Sequence, residues 1–243
     1  MDLFDLNADN SKAMPLAERM RPRELSEFIG QKHLLHKGSL LMRAIQADKL
    51  GSCIFFGPPG TGKTTLAGII ANSTSSEFVK LNAVSSGVAD AKKVIEEATE
   101  RLRVFNKRTF LLLDECHRWN KAQSDCVLSA IETGSIVFIG STTENPFVSM
   151  TRAIVSRCRV FELKPLETQD IIEGLKRATS APNGLGEYDL RVDDEAYAHI
   201  AWSANGDLRN AYNALELAVL TTPPNRDGTI VIDRSVAQEV AAD

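Results

Sequence analysis

Cysteine is scarce in this chain: Cys53, Cys116, Cys126 and Cys158 lie far apart, and no two form a Cys-x-x-Cys pair. That spacing excludes a disulfide framework and a thiolate zinc site, and it fits free thiols in a reducing cytoplasm. The four histidines lack metal-ligand spacing too. No run approaches the ~18 uninterrupted apolar residues of a membrane span. The start, Met1-Asp2-Leu3-Phe4-Asp5, is acidic and lacks the basic and apolar regions of a secretory signal. Charge of one sign is also missing: 28 Lys and Arg against 32 Asp and Glu leave a net charge of −4. Any nucleic-acid contact must therefore be a local basic patch and not a global field. Internal repeats and low-complexity tracts are absent. With 243 residues, 43% of them hydrophobic and 25% charged, the composition is that of an ordinary soluble chain. It can hold one sizeable core plus a smaller domain.

Against these absences stands the run Gly57-Pro58-Pro59-Gly60-Thr61-Gly62-Lys63-Thr64, which fits G-x-x-x-x-G-K-[ST]. It lies between a strand-like run, Cys53–Phe56, and a helix-like run, Thr65–Asn72, which is the context that pattern requires. Glycines let backbone N–H groups turn inward, and a helix N-terminus then offers positive potential to a polyphosphate. The pattern implies nucleoside triphosphate binding, with Lys63 reaching the β- and γ-phosphates and the Thr64 hydroxyl on Mg²⁺. Pro58, Pro59, Gly60, Thr61, Gly62, Lys63, Thr64 and Thr65 are the candidate nucleotide-binding residues.

Five short apolar runs recur, at 53–56, 78–81, 110–114, 136–139 and 160–163, and helical patterns at 65–72, 88–103 and 122–132 separate the first four. Strand–helix alternation with near-continuous apolar strands predicts an α/β fold, a five-stranded parallel sheet sandwiched by helices. After Lys164-Pro165 the pattern changes to helices at 168–178, 194–203, 207–220 and 233–241, predicting a small all-α lid domain. Residues 1–14 read as a disordered tail, 15–164 as the α/β domain and 165–243 as the lid.

Phe110-Leu111-Leu112-Leu113-Asp114-Glu115 is an apolar strand ending in two carboxylates. Asp114 is the candidate second magnesium ligand, and Glu115 the candidate base for a water attacking the γ-phosphorus. Further on, Gly140-Ser141-Thr142-Thr143 follows the end of the neighbouring strand at 136–139, with Thr143, and Thr142 second, as the candidate contact to the γ-phosphate. Arg157 and Arg209 offer guanidinium groups for charge developing on the transferring phosphoryl.

The order of these elements resembles an AAA+ ATPase. The runs 15–22, 28–34, 114–123, 140–146 and 156–161 resemble, more closely, the replication-associated recombination ATPases (RarA) and their eukaryotic Werner-helicase-interacting relatives. That resemblance spans about residues 15–243. It implies that Arg21, Pro22, Phe28, Ile29 and Gly30 border the adenine, and that Asn82 restrains Glu115 until a ligand arrives. Thr143 would be the first sensor, Arg209 the second, and Arg157 a finger reaching a neighbouring subunit's nucleotide. It implies ATP/ADP and Mg²⁺ as ligands and DNA forks, gaps or ends as partners, with a place in the cytoplasm at the nucleoid. Single-strand-binding protein or the sliding clamp would be a replication partner, and Leu3-Phe4 faintly resembles clamp-docking peptides. Arg118 and Lys121 would touch DNA backbone phosphates, whereas Arg101, Arg103, Lys107 and Arg108 read as a solvated face. Family members continue into a tetramer-building domain beyond the position of Asp243, so this chain is expected to be mostly monomeric and a weak ATPase. Three alternatives compete: a clamp-loader subunit using ATP as a binding switch, a small-molecule kinase, and a Holliday-junction motor. The kinase would leave Arg157 and Arg209 without purpose, and the motor requires a winged helix after the lid.

Overall fold

The computed structural model describes residues 14–74 and 76–241. The Leu3-Phe4 segment and nearly all of the tail expected at 1–14 lie outside them. In chain order the elements are α1 (Leu16–Arg19), α2 (Lys32–Leu35), α3 (Leu40–Gln46), β1 (Cys53–Phe56), α4 (Lys63–Asn72), β2 (Glu77–Asn82) and α5 (Val88–Phe105). They continue with β3 (Thr109–Asp114), α6 (Lys121–Thr133), β4 (Ile136–Thr142), α7 (Pro146–Ser149), α8 (Arg152–Val155) and β5 (Arg159–Glu162). The last are α9 (Thr168–Ser180), β6 (Leu190–Val192), α10 (Asp194–Ser203), α11 (Leu208–Thr221), β7 (Ile230–Ile232) and α12 (Arg234–Val240). The chain divides into two compact units, residues 23–164 and residues 14–22 joined with 165–241.

In the first unit the five strands run parallel in the order β2-β3-β4-β1-β5. Side chains alternate along each strand, so each face collects its own core. One face packs Phe55, Phe110, Leu112, Ile139 and Phe161 against Leu66 and Ile70 of α4. The other packs Ile54, Leu111, Leu113 and Phe138 with Ala91 and Ala98 of α5 and Val127 of α6. Both faces are therefore dry, which is why β3 reads as unbroken apolar sequence. The strand ends align: Asn82 pairs with Asp114, Asp114 with Ser141, and Phe56 with Thr142. Strand β4 runs three residues beyond its apolar stretch, through Gly140-Ser141-Thr142, because β1 and β3 supply partners on both sides. Ser141 and Thr142 are consequently buried, polar as they are.

The second unit packs α1 and α9–α12 around Ile171, Leu175, Ile200, Leu215 and Ile232. It departs from the all-α expectation, since β6 and β7 form a short parallel pair in the register Leu190–Ile230 and Val192–Ile232. Three-residue strands some forty positions apart leave no local pattern to read. Residues 15–22, expected with the α/β domain, fold into this unit instead. Leu16 and Met20 lie four apart on one side of the first turn and bury in its core. Glu216 of α11 accepts from the Leu16 N–H at 2.9 Å and from the Arg19 guanidinium at 2.7 Å.

Candidate active site

The sheet's carboxyl edge, where β1, β3 and β4 end together, carries the candidate chemistry. After Phe56 the chain turns through Gly57, whose N–H donates to Thr142 O at 3.2 Å. Gly57 (φ +148°), Gly60 (+67°) and Gly62 (+94°) take conformations that side-chain-bearing residues avoid. A Cβ on Gly62 would lie 2.5 Å from the Phe28 ring, so the loop and the Phe28 segment meet there at backbone distance. Gln31 secures that segment: its amide nitrogen donates to Lys164 O at 2.8 Å, and its oxygen accepts from Lys164 N at 3.0 Å. Phe28, Ile29 and Gly30 are thus held beside the loop. Arg21 and Pro22 fall in the other unit with Arg209, and Arg21 donates to Glu18 at 2.6 Å.

Lys63 opens α4 and is buried; its ammonium donates to Gly57 O at 2.8 Å and Pro58 O at 2.7 Å. Thr61 Oγ1 also donates to Pro58 O at 2.8 Å, so the loop's own carbonyls receive these donors. The Thr64 hydroxyl lies 3.3 and 3.2 Å from the two Asp114 carboxylate oxygens. A hydroxyl and a carboxylate side by side are hard oxygen donors suited to Mg²⁺. The Ser141 Oγ, register neighbour of Asp114, is fully buried with no hydrogen-bond partner among the described residues. This edge therefore has the right donor set for a phosphate-bound cation. Lys80 on β2 reaches within 3.8 Å of Asp114 Oδ2, a cation that sequence reasoning overlooked.

Glu115 follows with φ +53°, a left-handed conformation unusual for a side-chain-bearing residue, and it starts the 3₁₀ turn Cys116–Arg118. Burial pushes the Cys116 thiol far up, opposed by its own backbone hydrogen bond and helped by nearby acidic charges, so it stays protonated. His117 is also in the site, although the sequence assigned it no role. Its ring contacts Thr142 and lies near both Glu115 and Glu144. The available signal was a titratable ring two residues past the dyad. Thr143 is exposed, just past β4, and Thr142 instead occupies the buried strand end. The Asn82 oxygen accepts from Val84 N–H at 2.8 Å, closing the turn after β2, while its backbone stands opposite Asp114.

Arg157 is bound within its own chain: Nε donates to Glu132 Oε1 at 2.7 Å, Nη2 pairs with the same carboxylate, and Nη1 donates to Ala153 O at 2.9 Å. Trp119 buries into the α5–α6 core and Asn120 caps α6, leaving Arg118 and Lys121 exposed on either side. In the other basic run, Arg101 donates to Thr109, Lys107 to Glu77 and Arg108 to Asp48, so three of its four cations make intrachain contacts. The Lys107 hydrogen bond lowers the Glu77 carboxyl below its ordinary range. Arg209 sits in the first turn of α11, whose cap Asp207 accepts from the Arg209 N–H at 2.8 Å.

Known proteins are similar to this chain in sequence and fold. The family described as the Holliday junction DNA helicase RuvB P-loop domain matches residues 20–152, and an AAA C-terminal domain family matches residues 186–243. Replication-associated recombination protein A of Bacillus subtilis is 44% identical over 226 residues, covering 93% of this chain and 52% of that protein. Its Escherichia coli K12 counterpart is 42% identical, covering 100% of this chain and 54% of its own length. The ATPase WRNIP1 of Dictyostelium discoideum is 43% identical over 89% of this chain and 24% of that protein. The solved Thermotoga maritima RuvB Holliday junction branch migration motor superposes with a TM-score of 0.72 at 27% identity, covering 91% of this chain and 72% of that one. The chain spans about half the length of these two bacterial relatives (52–54%). Among the described residues, no helix is long and apolar enough to cross a membrane.

Proposed function

The chain belongs to the P-loop AAA+ ATPase family that includes the RuvB P-loop domain and replication-associated recombination protein A, and from that premise we propose that it hydrolyses ATP to remodel DNA at forks, gaps or ends. The observation that carries this reading is one juxtaposition. The Thr64 hydroxyl is 3.2 Å from Asp114, beside a lysine-bearing glycine loop, and Glu115 is the next residue. Loop N–H groups and Lys63 bind the β- and γ-phosphates. Thr64 and Asp114 would hold Mg²⁺, which when bound would offset phosphate charge. Glu115 orients a water and takes its proton as the water oxygen bonds to the γ-phosphorus. The bond from phosphorus to the ADP oxygen breaks, giving ADP and phosphate. Thr143 contacts the γ-phosphate from the loop after β4, Asn82 restrains Glu115 before binding, and Phe28, Ile29 and Gly30 line the base. Arg157 acts on a neighbouring subunit's nucleotide. Arg118 and Lys121 contact DNA backbone phosphates, and a single-strand-binding protein or sliding clamp recruits the assembly in the cytoplasm.

Phosphate release measured with and without gapped or blunt-ended duplex tests the reading. Stimulation by those DNAs is expected. A strict requirement for a sliding clamp would support the clamp-loader alternative instead, and turnover dependent on a small-molecule acceptor would overturn both.

A further inference from the structure

Resting on the ATPase reading, we propose that His117 is a positioning residue that couples the Thr143 loop to the Glu115 carboxylate. The His117 side chain is only 4% exposed. A buried imidazole costs free energy unless its nitrogens find partners, and an apolar side chain would fill the same space more cheaply. Here the two nitrogens meet polar groups from three segments. Nδ1 lies 2.8 Å from Thr142 Oγ1 at the end of β4 and 3.6 Å from Glu115 Oε2 in its own turn. Nε2 lies 3.4 Å from Glu144 Oε1 in the loop after β4.

The distances rank these contacts. At 2.8 Å the Thr142 contact is a full hydrogen bond, whereas 3.6 Å to Glu115 lies beyond hydrogen-bond length. Thr142 Oγ1 is itself shared, because it accepts from the Glu144 N–H at 3.0 Å and so spans Thr143. A shift of Thr143 toward a phosphate pulls on the hydroxyl that His117 holds. A ring movement below 1 Å, about the difference between 2.8 and 3.6 Å, then brings Nδ1 onto Glu115 in place of Thr142. His117 thereby tells the base whether the loop beside it is engaged. Asn82 is separate from this chain of contacts, its oxygen being held by Val84 N–H.

The test uses His117→Ala, His117→Asn, Thr142→Val and the Ala/Val double variant. In the nucleotide-free chain, the ¹³C shift of the Glu115 carboxyl carbon is expected to respond to Thr142→Val, and to stop responding once His117 is alanine. In turnover, His117→Ala is expected to lower kcat by about 10- to 100-fold, with calorimetric Mg-ATP affinity within about 3-fold. The double variant should be no slower than the slower single one, because the two residues act as one unit. Asparagine, whose amide reaches the Nδ1 position, should restore most of kcat and also covers the case in which alanine fails to fold. The proposal is overturned if Thr142→Val shifts the Glu115 signal equally in both backgrounds, or if His117→Ala keeps full kcat, or if the two losses multiply. Wild-type chain that releases no phosphate would count against the ATPase reading alone, since the carboxyl signal reports the coupling without turnover.

Discussion

In the proposed reaction Lys63 and Glu115 separate two demands of the chemistry, holding the phosphates and activating the water. Glu115→Gln keeps the shape and hydrogen-bonding reach of the side chain but cannot take a proton. It should therefore bind Mg-ATP within a few-fold of wild type while kcat falls about 10²- to 10⁴-fold, read by calorimetry and phosphate release. The cysteines make a contrasting prediction. Burial pushes the Cys158 thiol up to about 12 and those of Cys53 and Cys116 further, whereas Cys126 is raised less, being partly exposed and near Lys92. Raised values leave the thiols protonated at pH 8, and only the thiolate attacks. Alkylation of the native chain at pH 8, mapped by mass spectrometry, should mark Cys126 first; early labelling of Cys53 or Cys116 would contradict the packing around them.

At the scale of elements, the turn from β1 into α4 is the tightest joint in the site. A Cβ at Gly57 would lie 2.0 Å from the Leu163 carbonyl oxygen, and that segment cannot retreat without loosening the Leu163 N–H bond to Phe56 O at 2.8 Å. Gly57→Ala should cost about 3 kcal/mol or more. Gly38→Ala, also at positive φ but with nothing within 4 Å, should cost roughly 1–2 kcal/mol, and urea unfolding midpoints compare the two. The phosphate loop and the Asp114–Glu115 pair were legible in the sequence because each is a contiguous run with a fixed place between a strand and a helix. Helix α10 was legible to its ends, with a row of acidic residues at its start and Asn205-Gly206 beyond its close. The end of β4 was not, because Gly140-Ser141-Thr142 looks like a loop until two neighbouring strands pair with it. The contact between His117 and Thr142 spans 25 residues, and neither residue announces the other locally.

For the whole molecule, the proposed role of Arg157 requires a second copy. Within one chain it pairs with Glu132 and the Ala153 carbonyl, so on the proposed reading a neighbour must draw it away before it reaches a nucleotide. Arg157→Ala should lower kcat about 10³-fold, and so should Lys63→Ala by losing the nucleotide. Mixed at high concentration, the two silent variants should regain turnover, because an intact phosphate loop in one meets an intact arginine from the other. No recovery on mixing would place the needed guanidinium within the same chain. The α/β unit was readable from its alternating runs, whereas the assignment of residues 15–22 to the helical unit depends on Glu216, two hundred positions from Leu16. The most direct test of the account is titration calorimetry of the folded chain with magnesium and ATP. The account predicts a single saturable site whose heat disappears in Lys63→Ala. Chain with a native thermal transition that takes up no ATP would contradict it.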